Sequence, residues 1–157
     1  MHIVQNAIDL CHALGYPQPK IAILSAMETV NPKVPSTVEA AALCKMADRK
    51  QVTCATLDGP LALDNAIDLA AAKTKQIDSP VAGLADVLIV PDLEAGNMLA
   101  KSLSFMADVD AAGIVLGARV PIVLTSRAES VMTLLASCAV SALVAQARRE
   151  RASDLAA

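Results

Sequence analysis

The densest run of reactive side chains is Thr125-Ser126-Arg127-Ala128-Glu129-Ser130. Two hydroxyls beside a guanidinium carry the donors that an oxyanion or phosphate needs, and backbone N–H groups add to them if a helix opens there. The same residues also read as an ordinary helix start, with Thr125 or Ser126 as cap, Glu129 closing a capping box and Arg127 solvated. Polar side chains collect in three earlier segments as well. In Ser25-Ala26-Met27-Glu28-Thr29-Val30-Asn31-Pro32, running on to Ser36 and Thr37, a hydroxyl cap explains Ser36 or Thr37 but not Glu28 or Asn31. Asp58-Gly59-Pro60 is common turn chemistry, followed by Asp64 and Asn65 a turn inside the next helix, where they would face solvent or a ligand cleft. In Pro91-Asp92-Leu93-Glu94-Ala95-Gly96-Asn97, the weak helix formers Gly96 and Asn97 sit where a helix should begin, and broken local rules often mark functional sites.

Metal and redox chemistry find little support. The four cysteines, Cys11, Cys44, Cys54 and Cys138, form no CxxC pair and read as free, buried thiols. No closely spaced group of three aspartates is present to hold a divalent cation for a hydroxy acid, which disfavours a metal-dependent decarboxylating dehydrogenase. A net charge of −3 offers no general attraction to nucleic acid or to an anionic membrane, so an anionic substrate must be held by a few placed groups. No apolar run approaches bilayer length and no signal peptide opens the chain, so the reading is a cytoplasmic protein.

The elements that position these residues follow from apolar patterning. The chain has 157 residues, the size of one domain, and is 55% hydrophobic with a single Phe and a single Tyr, so its core is aliphatic. Helical spacing of Ile3, Val4, Ala7 and Ile8 predicts an opening helix stopped by Gly15 and Pro17. Continuous apolar runs at Lys20 to Ala26, Val52 to Leu57, Asp86 to Val90, Ala112 to Leu116 and Val120 to Leu124 predict strands covered on both faces. Helices are expected over Ser36 to Arg49, Leu61 to Lys75, Leu93 to Phe105 and Glu129 to Arg149, with Ala152 to Ala157 as a frayed tail. Strand and helix alternate, so the expected class is α/β, a mostly parallel sheet with helices on both faces. The last two strands are too close for a parallel crossover and form either an antiparallel pair or parts of different units.

Together, SAMETVNPKVPST, AALCKM, DGPLALDNA, ADVLIVPDLEAGNMLAKSL and AGIVLGARVPIVLTSRAES, in this order, strongly resemble the phosphate acetyl/butyryltransferase family, over about Ala7 to Ala145. The likeness is nearest to butyryl and branched-chain members and to forms fused to an enoyl-CoA hydratase. It implies a fold similar to isocitrate and isopropylmalate dehydrogenases, with residues 1–118 as inner domain and 119–157 as a returning strand and helix of an outer domain whose amino-terminal part is absent. It implies the reaction of acyl-CoA with phosphate to give acyl phosphate and CoA, with coenzyme A as substrate, no bound cofactor and no metal. Ser126 and Arg127 carry over as catalytic, Arg127 pairing with phosphate and Ser126 hydrogen-bonding the thiol or the carbonyl oxyanion. Thr125, Glu28, Asn31, Asp64, Asn65, Glu94 and Asn97 are the expected substrate-binding residues.

Two departures stand against the pattern: the residue at the position of the base, and the amino-terminal region that family members carry before the first helix and that contributes some cleft residues. Acetyl-type members place an acidic base two turns beyond the Ser-Arg pair, whereas Thr133 stands seven positions after Ser126, leaving Glu129 or Glu28 as substitutes. Besides Arg127, only Arg119 and Lys101 add positive charge near the loops, few for a ligand with several phosphates. The expectation is an incomplete catalytic unit, forming a homo-oligomer such as a dimer and binding acyl-CoA, CoA, phosphate or acyl phosphate, with neither nucleic acid nor membrane as partner. The alternative is a non-catalytic module for CoA or acyl phosphate binding or for dimerisation.

Overall fold

The computed structural model describes residues 1–127 and 129–154. Helix α1 spans His2–Ala13. It ends where Gly15, at φ +88°, lets the Tyr16 N–H reach the Cys11 carbonyl at 2.9 Å and its own N–H reach that of His12 at 3.0 Å, a Schellman turn that only a left-handed residue closes cheaply. The sheet follows, with β1 (Lys20–Leu24) at its centre, β2 (Thr56–Leu61) and β3 (Val87–Ile89) on either side, and both pairings parallel.

Why β1 reads as an unbroken apolar run is now plain. Ile21 and Ile23 point to one face, into a core with Val4 and Ile8 of α1 and Ala40 of α2 (Pro35–Asp48). Ala22 and Leu24 point to the other, against Leu61, Ala66 and Ala72 from β2, α3 (Leu63–Ile67) and α4 (Leu69–Thr74), with Val81 and Ala82 beside them. A strand covered on both faces has no polar side to show.

Several expectations shift. The second strand lies at Thr56–Leu61, not Val52 to Leu57, so Asp58-Gly59-Pro60 is strand rather than turn. Packing overrides the turn propensity: a Cβ on Gly59 would meet the Ile23 carbonyl oxygen at 2.7 Å and Ile23 Cβ at 2.8 Å. The β1–β2 register also shifts between Ala22 and Leu24. The single helix expected over Leu61 to Lys75 is two, because Asp68 is extended and its carboxylate accepts the Ala70 N–H at 2.8 Å, starting α4 afresh.

Helix α5 (Leu93–Met106) is capped by Asp92, whose Oδ1 accepts the Ala95 N–H at 2.7 Å. Gly96 has a packing explanation, since a Cβ there would lie 3.0 Å from Val90 Cγ2. The strands β4 (Ile114–Val115) and β5 (Ile122–Val123) form the antiparallel pair left open by the sequence, with Ile114 opposite Val123. Helix α6 (Val131–Asp154) runs past the expected end at Arg149, so Ala152 to Asp154 are helical; Leu155 to Ala157 of the expected frayed tail lie outside the described residues. Arg148 Nη1 donates to the Ala118 carbonyl at 3.0 Å, and Arg151 lies 3.6 Å from Asp9 of α1, tying α6 to the hairpin and to the first helix.

By length and composition α6 would suffice to cross a bilayer, with mean hydropathy 1.5 over its most apolar 18 residues, contrary to the expectation that no segment comes near that. Only 11% of that stretch is buried. Helix α5 is similarly bare: it buries no residue, and Leu93, Phe105 and Met106 are 83%, 69% and 86% exposed.

Candidate functional site

The C-terminal ends of the parallel strands bring the first two polar segments together. Where β1 ends, the Ser25 and Ser36 hydroxyls lie 2.8 Å apart, joining the strand to the first turn of α2. Further along, Asn65 donates Nδ2 to Glu28 Oε2 at 3.2 Å. Lys75, just past α4, lies 3.5 Å from the same carboxylate and 2.9 Å from Asp64. The result is a chain of alternating charge, Glu28–Lys75–Asp64, backed by a fully buried amide. The Lys75 hydrogen bond, with its charge in support, holds the exposed Asp64 carboxyl below its ordinary value, and the same bond raises Lys75.

Burial alters the reading of Asn65. It was expected to face solvent or a cleft, yet it is 0% exposed, and its Oδ1 has no hydrogen-bond partner among the described residues. Asn31 is taken up locally: its Oδ1 accepts the Lys33 N–H at 3.0 Å and its N–H donates to Thr37 Oγ1 at 2.9 Å, so it shapes the loop that Thr37 closes. Glu94 and Asn97 are exposed on α5, and no hydrogen bond or ion pair among the described residues joins them to the Glu28 network.

Thr125 and Ser126 line a second cleft of about 240 Å³, with Lys101 and Ser104 of α5, Gly113 and Thr133. Glu129 projects into it and meets Lys101 Nζ at 3.0 Å. That pairing, not a capping box, occupies Glu129. The helix cap is Ser130, whose Oγ accepts the Thr133 N–H at 3.1 Å, so Thr125 and Ser126 stand in the connection before α6 and are not its caps. Arg127 is exposed and makes no ion pair among the described residues; Ala128 lies outside them. Sequence reasoning missed Lys75. Its signal was a cation one turn or more beyond two acids in the same apolar-periodic stretch, obscured because the stretch was read as one continuous helix.

The thiols are free, as expected, but none is fully buried: Cys11 and Cys44 are half-buried, and Cys54 and Cys138 are exposed. Burial first, then the nearby Asp58 and Asp48 carboxylates, pushes the Cys44 thiol up to about 12, which removes it as a nucleophile at neutral pH. Burial and the Asp86 charge raise Cys11 as well. Among the described residues no group of three or more His, Cys, Asp or Glu side chains is arranged to hold a metal ion.

Comparison with known proteins gives the family. A family model described as "Phosphate acetyl/butaryl transferase" matches residues 1–142. The chain is 69% identical over 147 residues to a phosphate acetyltransferase of Rhizobium meliloti, covering 94% of this chain and 46% of that protein. It is 51% identical over 139 residues to a probable phosphate butyryltransferase of Bacillus subtilis, covering 88% and 46%. A crystal structure of a branched-chain phosphotransacylase from Enterococcus faecalis superposes with a TM-score of 0.79 at 40% identity, over 90% of this chain and 51% of the other. The chain thus spans about half the length of the curated relatives it matches. With that match running through both the sheet-end loops and the Thr125–Ser126 connection, the chain belongs to the phosphate acetyl/butyryltransferase family.

Proposed function

We propose that the protein transfers an acyl group between coenzyme A and phosphate. The observation that supports this most directly is the cleft that holds Thr125 and Ser126 beside the Lys101–Glu129 pair, in a member of this family. In the proposed reaction a phosphate oxygen attacks the thioester carbonyl carbon, the C–S bond breaks, and CoA leaves as a thiolate that takes up a proton. Negative charge develops on the carbonyl oxygen, so fixed donors are the main catalytic requirement. Ser126 is assigned to that oxyanion or to the thiol, Arg127 to the phosphate, and Thr125 to orienting the substrate. In reverse the thiol must lose its proton, and Glu129, held in the cleft by Lys101, is the carboxylate assigned to receive it. Coenzyme A is a substrate here, not a resident cofactor.

The reading extends to architecture and setting. Residues 1–118 are assigned to an inner domain and 119–157 to the returning part of an outer one, in a dehydrogenase-like two-domain arrangement. The bare apolar faces of α5 and α6 support a homo-oligomer, since large exposed apolar patches are rarely left uncovered. We place the protein in the cytoplasm, with α6 covered by protein rather than lipid; Ser137 supports this, being fully buried and accepting the Gly113 N–H at 2.9 Å. Those same faces, with so few cations near the clefts, favour the second reading of a non-catalytic binding or dimerisation module.

Thiol release from acetyl-, butyryl- and isobutyryl-CoA, with and without phosphate, separates the two. Phosphate-dependent release by this chain supports the enzyme reading. Binding of CoA without release supports the module.

A further inference from the structure

Where α1 meets α6 a small cleft of about 60 Å³ has room for one small ion, and its polar groups take no part in the proposed reaction. Leu10 of α1 and Val144 of α6 form part of its wall; Asn6 and Asp9 enter it from α1, and Arg148 and Arg151 from α6. Arg148 is half-buried and already aimed: its Nη1 bond to the Ala118 carbonyl at 3.0 Å fixes the guanidinium, and the rest of the fork has no partner among the described residues. The Asn6 amide lies against Gly117, where a Cβ would come within 3.0 Å of its Nδ2, and it makes no hydrogen bond among the described residues. Arg151 meets Asp9 Oδ1 at 3.6 Å with the two side chains 57% and 44% exposed, a weak contact that exchanges easily. Gln5 Nε2 donates to the same oxygen at 3.3 Å, which leaves Asp9 Oδ2 open. Two guanidinium groups and an amide thus surround one carboxylate, more donors than the cleft's own acceptors use.

We propose that this cleft binds inorganic phosphate, with Arg148, Arg151 and Asn6 donating to its oxygens and Asp9 accepting from its remaining P–OH. Charge-assisted bonds from guanidinium to phosphoryl oxygen supply the attraction. Asp9 supplies the selection. Sulfate, fully ionised at neutral pH, meets that carboxylate as like charge with no proton to donate. A phosphate ester loses its second proton at about pH 6, so the ester phosphates of CoA fit less well than inorganic phosphate, which keeps a P–OH at neutral pH. The cleft shares no lining residue with the Thr125–Ser126 cleft, so this phosphate is not the reacting group, and the inference does not rest on the acyl-transfer reading. Its occupancy joins α6 to α1, which is packed on the sheet through Val4 and Ile8.

Nitrogen-proton NMR of the labelled chain, titrated with phosphate, sulfate or CoA at constant ionic strength, tests this. The Asn6 side-chain amide and the Arg148 and Arg151 Nε–H signals report on the cleft itself, apart from any phosphate bound elsewhere. Phosphate is expected to move all three, and sulfate to need at least about tenfold more to do the same. Arg151→Gln, at an exposed position near the end of α6, is expected to weaken phosphate at Asn6 by about tenfold. Asp9→Ala is expected to admit sulfate, so that the two anions move Asn6 alike. Should either variant fail to fold, the comparison of phosphate with sulfate in the unsubstituted chain decides alone. Signals that stay put with phosphate, or that sulfate moves equally in the unsubstituted chain, would overturn the site. Saturation by CoA at a lower concentration than phosphate would assign the cleft to a phosphate ester and overturn it as well.

Discussion

Asn65 donates to Glu28 at 3.2 Å from a position with no solvent exposure, so a buried amide on α3 fixes a carboxylate on the loop after β1. Half of that amide is unpaid, because its Oδ1 lacks a partner among the described residues. Asn65→Ala therefore removes one hydrogen bond to a charged group and one unsatisfied acceptor together. These oppose each other, and the expected loss is about 1 kcal/mol, below the ~1.5–3 kcal/mol of a fully satisfied charged bond. Urea unfolding measures it, and a loss well above that range would mean that Oδ1 is partnered in solution.

Asp64 and Lys75 predict a pH dependence of definite sign. The folded Asp64 carboxyl lies below its ordinary value, so its contribution to stability is present above that ordinary value and lost as pH falls through the lower, folded one. Lys75 is raised, so its contribution is present below its ordinary value and lost as pH rises through the folded one. Both groups are exposed and the energy is small. Carboxyl NMR titration is the sensitive measurement: Lys75→Met should return Asp64 upward towards its ordinary value, and an unchanged midpoint would disprove the pairing.

Cysteine reactivity should divide by environment. At pH 7.5 a thiol raised to about 12 holds on the order of a ten-thousandth of its population or less as thiolate. Cys54 and Cys138 are exposed and should react with a thiol reagent first, while Cys44 waits for unfolding. Peptide mapping after timed labelling gives the order directly, and early labelling of Cys44 would show that the α2–β2 packing opens on that timescale.

How much of this was legible beforehand depended on whether local preference and packing agreed. For β1 they did: an apolar run without alternation has no other home than a doubly covered strand, and it lies at the sheet centre. For Asp58-Gly59-Pro60 they did not. Turn-forming residues are strand here because Gly59 lets β2 close on the Ile23 backbone, a contact invisible without the third dimension. At Gly96 the broken local rule suggested function, and packing supplies a reason of its own, the close approach to Val90. The site residues divided along the same line. Glu28 and Asn65 meet directly, while Asp64 joins Glu28 only through Lys75, whose part depends on the break at Asp68.

Gly59 offers the direct test of that override. Alanine there would place Cβ 2.7 Å from the Ile23 carbonyl oxygen, and backbone in the central strand cannot swing aside as a side-chain tip does. Gly59→Ala is expected to destabilise the chain by about 1–3 kcal/mol, the usual cost of overpacking, despite the small entropic gain from replacing glycine. Ala62→Gly, just beyond the strand, should cost less because no such approach is involved. Equal stability of Gly59→Ala and the parent in thermal unfolding would mean that the β1–β2 contact is looser than the structure has it.

Arg127 separates charge from geometry in the proposed reaction. If it only supplies positive charge to the phosphate, Arg127→Lys should retain most of the phosphate-dependent thiol release of the parent. If it holds two phosphate oxygens through its planar fork, lysine cannot reproduce the contact, because an ammonium is a point charge on a flexible stem. We expect the second outcome, with Arg127→Lys and Arg127→Ala both lowering kcat/KM for phosphate by at least about a hundredfold, as removal of a charge-stabilising donor commonly does. Arg127 is exposed in the connection before α6, so neither change should disturb folding, and circular dichroism would confirm that the loss is chemical. Near-parental turnover in Arg127→Ala would take Arg127 out of the reaction and move the phosphate to Lys101, the cation that lines the Thr125–Ser126 cleft.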